Sequence, residues 1–170
     1  PIWGVDVQVR DDAGKECEPN DIGEIFIRGH NVMKGYHNRL KETEDAFDNG
    51  WFKTGDLARK DEDGYIFIVD RLKDMIIRGG YNVYPREIEE TLMKHPQVSM
   101  AAVIGVADSK HGEEIKAYII GKPDETINSE KLISWCKEKM ANYKYPRIIQ
   151  IEKTLPMTAT GKILKKELKS

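Results

Sequence analysis

The spacing of apolar residues changes once along this chain, near Asp70, and that change limits the fold more than any other feature. Before it, Val5, Val7 and Val9 alternate with Asp6, Gln8 and Arg10, and Ile22 to Arg28 and Tyr65 to Asp70 repeat the alternation. A period of two buries one face of a β-strand, so these stretches read as half-buried strands. Asp11-Asp12-Ala13-Gly14 supplies turn residues for a hairpin, and Asp61-Glu62-Asp63-Gly64 supplies them again before Tyr65. The segment from Gly29 to Gly55 reads as loop-rich.

Beyond Asp70 the spacing becomes helical. Pro85 suits a first helical turn, where a missing N–H costs nothing, Ile88 and Leu92 then share one face, and Pro96 follows the end. Val98 to Val106 and Ile115 to Ile120 read as strands around a loop at Ser109 to Gly112. A second helix carries Leu132, Ile133, Cys136 and Met140 on one face, Ile148 to Ile151 reads as a short strand, and Ile163 to Leu168 as a closing helix. The expected class is α+β. A small β-rich, distorted barrel-like subdomain over 1–72 precedes an α+β domain over 73–170, with the boundary near Asp70 to Lys73.

Composition removes several functional classes. With 27 Lys+Arg against 29 Asp+Glu the net charge is -2, without the basic excess of a general nucleic-acid binder. From Lys131 to Ser170, however, ten Lys+Arg face three Asp+Glu. That tail is either a solvated helix face or a surface for a phosphate-rich ligand. No apolar run approaches the length of a membrane span, so the protein is not expected to be integral to a membrane. Cys17 and Cys136 fit no metal spacing and are too few for a disulfide framework, which suits a reducing, cytoplasmic compartment. Pro1 in place of a methionine, without signal-peptide character, suggests a cut end inside a longer chain.

Four segments hold residues suited to chemistry. In Trp51-Phe52-Lys53-Thr54-Gly55-Asp56 an acidic side chain follows an aromatic anchor; it is either a turn Asp capping its own backbone or a fixed carboxylate able to accept hydrogen bonds from a ribose diol. In Asp70-Arg71-Leu72-Lys73-Asp74 the planar fork of Arg71 suits hydroxyls, phosphate or carboxylate, and Lys73 sits where a hinge would be needed; a surface ion-pair cluster is the alternative. Gly79-Gly80 precedes the Pro85 helix and permits a tight turn or close approach of backbone to a ligand. Pro156-Met157-Thr158-Ala159-Thr160-Gly161-Lys162 presents a lysine after a small polar loop. It is not a Walker loop, because Pro156 and Ile163 replace the required glycine and Ser/Thr. The four histidines have no metal-ligand spacing and no Gly-x-Ser-x-Gly elbow occurs.

Taken in order, Gly23-Glu24-Ile25, Arg28-Gly29, Met33-x-Gly35-Tyr36, Thr54-Gly55-Asp56, Asp70-Arg71-x-Lys73-Asp74, Gly79 to Pro85 and Gly161-Lys162 resemble the carboxyl-terminal portion of the adenylate-forming superfamily, which includes acyl-CoA synthetases, peptide-synthetase adenylation domains and luciferases. The resemblance covers nearly the whole chain. It implies ATP-dependent activation of a carboxylic acid, for example a fatty acid, to an acyl-adenylate, followed by transfer to the thiol of CoA. It implies that Asp56 holds the ribose hydroxyls, Arg71 assists at ribose or phosphate, and Lys162 is catalytic between the carboxylate and the α-phosphate. Lys73 would be the hinge of a mobile terminal domain, and Gly79, Gly80, Tyr81 and Tyr145 would contact CoA. The phosphate loop, the Mg2+ ligands and the acid pocket would lie in an upstream domain. Without that domain this chain is expected to be inactive and its uncovered surface could drive self-association. The Gly-Gly-Tyr-Asn-Val-Tyr-Pro-Arg-Glu-Ile-Glu run looks more like CoA ligases than carrier-loading domains. A stand-alone, non-catalytic binding or dimerising module is the reading from a different class.

Overall fold

The structure is a computed structural model that describes residues 1–169; Ser170, which ends the expected second domain and basic tail, lies outside the described residues. The chain divides into two compact units, Pro1–Lys73 and the part from Asp74 onward. Each is built on its own five-stranded sheet, and the class is α+β.

In the first unit β1 (Val5–Arg10) and β2 (Ile22–Gly29) pair antiparallel, with Val5 opposite Gly29 and Arg10 opposite Glu24. The alternating apolar residues bury Val9 and Ile25 against Ala58, with Val7, Ile27 and Ile66 around them. β4 (Trp51–Lys60) lies beside β2, a two-residue β3 (Phe47–Asp48) pairs with its start, and β5 (Ile66–Arg71) pairs with its end. Helix α1 (Leu40–Ala46) buries none of its side chains.

The expected loop-rich stretch from Gly29 to Gly55 is therefore corrected: it contains α1, β3 and the start of the strand that joins the sheet together. The Thr54-Gly55-Asp56 sequence is also a strand bulge and not a turn between elements. The register slips there, with Lys53 opposite Phe26 but Leu57 opposite Glu24, so extra residues of β4 face Ile25 alone. Gly55 accommodates this at φ +71, where a Cβ would be strained.

In the second unit the long β8 (Val98–Asp108) and β9 (Gly112–Gly121) form an antiparallel hairpin. Its two faces are both covered, which explains the nearly continuous apolar run of β8. Ala101, Val103, Ile115, Ala117 and Ile119 pack with Ile88 and Leu92 of α2 (Pro85–Leu92) and Leu132 and Cys136 of α3 (Ser129–Lys139). Ala102, Ile104 and Tyr118 pack with Leu155, Ile163 and Leu168. Pro85 opens α2 as expected, and Asn128 caps α3 by accepting the Lys131 amide at 2.9 Å. β10 (Ile148–Ile151) pairs parallel with β9, and α3 supplies part of the crossover that a parallel pair needs.

Two short strands were not visible in the apolar pattern: β6 (Ile76–Arg78) and β7 (Tyr81–Val83), joined by Gly79-Gly80. Both glycines have positive φ, +57 and +83, the pattern of a primed two-residue hairpin turn. The expected closing helix over Ile163 to Leu168 is reduced to one turn, α4 (Lys165–Leu168). Ile163 instead bridges to Met157, and the Leu164 amide donates to the Pro156 carbonyl at 2.8 Å, so this backbone closes a loop before any helix begins.

Candidate functional site

The β4 bulge sets Asp56 directly across the β4–β5 ladder from Arg71, and their side chains pair at 2.8 Å. The bulge is strapped from three sides. Thr54 Oγ1 donates to the Ile25 carbonyl at 2.9 Å, the Gly55 amide donates to Glu24 Oε1 at 2.8 Å, and the Asp56 amide donates to Thr54 Oγ1 at 3.1 Å. Arg71 Nη1 also donates to the Thr54 carbonyl at 3.3 Å. At the base of the strand, Trp51 is buried, with Arg28 and Arg10 over its ring at 4.5 and 4.8 Å. The result is a partly exposed carboxylate on a fixed backbone. One ion pair leaves most of its acceptor positions open, so the arrangement can take two hydroxyl donors.

In the second unit the Gly79-Gly80 turn is held by the Gly79 amide, which donates to the His111 carbonyl at 2.8 Å. Tyr81, 58% exposed, stacks on Tyr143 with ring centroids 4.6 Å apart. Tyr145 is buried, with the Arg147 guanidinium 3.3 Å above its ring. Beneath the turn lies a buried ion pair: Arg78 donates Nε and Nη2 to the two carboxylate oxygens of Glu114, each at 2.7 Å. The hydrogen bond to Glu114 raises the Arg78 pKa. Burial pushes the Glu114 carboxyl up, but hydrogen bonds from Arg78 and the Ile115 amide, with nearby guanidinium charge, outweigh it and hold it below its ordinary value. Burial lowers the pKa of Arg147 beside them.

This gives a stability prediction. Folding keeps Glu114 ionised to lower pH than the unfolded chain does, so its contribution is complete above its ordinary value of 4.5 and is lost as pH falls through the folded-state value. Glu114→Gln is expected to cost about 1.5–3 kcal/mol at pH 7, the range for hydrogen bonds to charged groups. The stability gap between wild type and variant, measured by denaturant titration, narrows on acidification. A gap independent of pH contradicts the assignment.

Lys162 stands on the loop that replaced the start of the expected helix. Thr158 organises it: its amide donates to the Lys162 carbonyl at 2.8 Å, its carbonyl accepts the Gly161 amide at 2.9 Å, and its Oγ1 accepts the Lys162 amide at 3.1 Å. The backbone is fixed while the ammonium is exposed and has no ion pair among the described residues. Lys73 lies in a 3-10 turn, Leu72–Asp74, and is exposed.

The candidates therefore fall into three places: Asp56 with Arg71, the Gly79-Gly80-Tyr81 turn, and the Lys162 loop. Sequence reasoning missed the Arg78–Glu114 pair and the Tyr143 partner of Tyr81. A period of two would have put Arg78 on the buried face with Ile76, but three residues are too few to establish a period. Among the described residues no group of three or more His, Cys, Asp and Glu is placed to hold a metal ion. Among those residues, no helix is long and apolar enough to cross a membrane.

Asp56 on its strapped bulge belongs to the first unit, and the Gly79-Gly80 turn and the Lys162 loop belong to the second. The AMP-binding enzyme family model matches residues 1–37 and the AMP-binding enzyme C-terminal domain model matches residues 87–162. The chain is 43% identical over 169 residues to a long-chain-fatty-acid–CoA ligase of Yersinia pestis, covering 99% of this chain and 30% of that protein. It is also 43% identical to a feruloyl-CoA synthase of an Amycolatopsis species, covering 99% of this chain and 34% of that one. The structure of o-succinylbenzoate CoA synthetase from Bacillus subtilis with its acyl-adenylate intermediate superimposes with TM-score 0.91 at 40% identity, covering 100% of this chain and 34% of that chain. This chain belongs to the adenylate-forming, AMP-binding enzyme family. It spans about a third of the length of the relatives it matches.

Proposed function

We propose that this chain is the carboxyl-terminal part of an ATP-dependent acid–CoA ligase, with residues 1–72 ending its large nucleotide-binding domain and 73–170 forming its mobile terminal domain. The observation that carries the reading is the Asp56–Arg71 pair on its strapped bulge, in a chain whose relatives are named CoA ligases. In the first half-reaction the acid's carboxylate oxygen attacks the α-phosphorus of ATP, and the bond to the β-phosphate oxygen breaks to release pyrophosphate. Asp56 accepts the ribose hydroxyls, Arg71 anchors Asp56 and faces ribose or phosphate, and Lys162 places its ammonium between the two anions that must meet. In the second, the CoA thiol gives its proton to solvent, its sulfur bonds to the acyl carbon, and the bond from that carbon to the phosphate oxygen breaks to release AMP.

Lys73 serves as the hinge, so that Lys162 serves the first step and the Gly79-Gly80-Tyr81 turn the second. In this reading Tyr145, buried with Arg147 over its ring, supports the CoA-facing surface from the core side. The ligands for Mg2+ belong to the upstream part of the enzyme, as does the acid pocket. The named relatives act on fatty, feruloyl and succinylbenzoyl acids, and a fatty or aryl acid is the substrate class in this reading. Apolar side chains exposed on the first unit, Trp3 and Ile68 among them, would be covered by that upstream part or drive self-association of the isolated chain. A cytoplasmic setting suits the free thiols of Cys17 and Cys136, the second pushed up to about 12 by burial and so unreactive.

The test is product analysis. The full-length protein carrying this sequence, given ATP, Mg2+, CoA and a panel of carboxylic acids, is expected to yield AMP and one acyl-CoA by mass spectrometry. AMP without thioester from every acid would contradict the ligase reading. Asp56→Ala in the same protein should weaken AMP binding by about tenfold to a hundredfold, the loss of hydrogen bonds to a charged acceptor, measured by calorimetry. Unchanged affinity would remove Asp56 from the ribose.

A further inference from the structure

The turn end of the β6–β7 hairpin is held to its sheet by little ladder. β7 is the edge strand, and β6 meets β9 at a single register pair, Arg78 opposite Gly112. Two backbone donors add to this: Gly79 to the His111 carbonyl at 2.8 Å, and Ile77 to Glu113 Oε2 at 2.7 Å. Ile76 and Val83, fully buried in the core, anchor the base of the hairpin, but toward the turn the attachment thins to these point contacts, and the turn can tilt about that base.

At the turn itself, what resists tilting is Arg78. It is the last residue before Gly79, only 8% exposed, and its guanidinium takes both oxygens of Glu114 at 2.7 Å. Two parallel bonds between planar groups fix direction as well as distance. Glu114 is fixed in turn, because Oε1 also accepts the Ile115 amide at 2.8 Å. Since β9 is the strand paired with β8 and β10, the clamp ties the turn to the most firmly paired strand of the unit.

We propose that Arg78, through its bidentate pair with Glu114, is a positioning residue for the thiol-transfer step: it holds the Gly79-Gly80-Tyr81 backbone at the height and direction needed to line the path of the CoA arm. This rests on the ligase reading above and deepens it. Arg78 touches neither substrate nor reacting atoms. Its effect is confined to the half-reaction in which the turn takes part, whereas a purely structural role would weaken both.

The experiment uses the full-length enzyme and reads the half-reactions apart: pyrophosphate release without CoA, and thioester formation from supplied acyl-adenylate at varied CoA. The variants are Arg78→Lys and the double variant Arg78→Met/Glu114→Gln, which removes the clamp without stranding a buried charge and keeps an acceptor for the Ile115 amide. The double variant is expected to leave pyrophosphate release unchanged and to lower thioester formation by up to about a hundredfold with a raised KM for CoA, as ångström-scale misplacement does. Arg78→Lys keeps a point charge but cannot span both oxygens, so it gives the same split at smaller size, and it decides the matter should the double variant not fold. Equal losses in both half-reactions overturn the positioning role, as does full thioester formation in both variants. A wild-type enzyme that forms no thioester overturns the ligase reading itself, and the role with it.

Discussion

Lys162→Ala in the full-length enzyme should lower adenylate formation by about a hundredfold to a thousandfold, the range for removing one preorganised group that meets developing charge. Thioester formation from a supplied acyl-adenylate should stay near wild type. The asymmetry follows from chemistry and geometry together. In the proposed cycle the Lys162 loop serves only the first step, so only there does its ammonium offset the repulsion between the carboxylate and the α-phosphate. The loop is built to present it: the Thr158 side chain and backbone fix residues 158 to 162, while the ammonium stays exposed. Lys162→Arg keeps the charge with a different shape and should recover part of the rate. Single-turnover assays of the two half-reactions measure this, and equal loss in both would remove Lys162 from its role.

The second large effect is on stability. Leu92 ends α2 fully buried, packed into the core under the β8–β9 hairpin. Leu92→Ala removes apolar contacts and leaves a cavity, at a cost of about 2–5 kcal/mol. Against a total of about 5–15 kcal/mol for a domain, that is a large fraction. Leu40→Ala, on a helix that buries nothing and at a position 77% exposed, should change stability by less than about 0.5 kcal/mol. Hydrogen exchange of the slowest amides in β8 and β9 reads the first effect in this chain. Equal protection in wild type and Leu92→Ala would contradict the packing account.

The same physics explains what could be read from sequence. β1 and β2 were legible because one face of each is buried, and α2 because Pro85, Ile88 and Leu92 combine a start signal with a helical face. β4 was not, because its central Thr54-Gly55-Asp56 bulge breaks the alternation and buries residues only at Trp51 and at Leu57-Ala58. β6 and β7 are too short to show a period. In the site, Asp56, Arg71 and Lys162 could be nominated from motifs and residue chemistry. That Asp56 lies across from Arg71 is a matter of strand register, and that Arg78 meets Glu114 depends on pairing across 36 residues, which local pattern does not encode.

Exchange of labelled pyrophosphate into ATP by the full-length enzyme reads carboxylate activation by adenylation without the thiol step. Exchange is expected to require a particular carboxylic acid and Mg2+ but no CoA, and to be nearly lost in Lys162→Ala. No acid-dependent exchange across fatty, aryl and short-chain acids would contradict it.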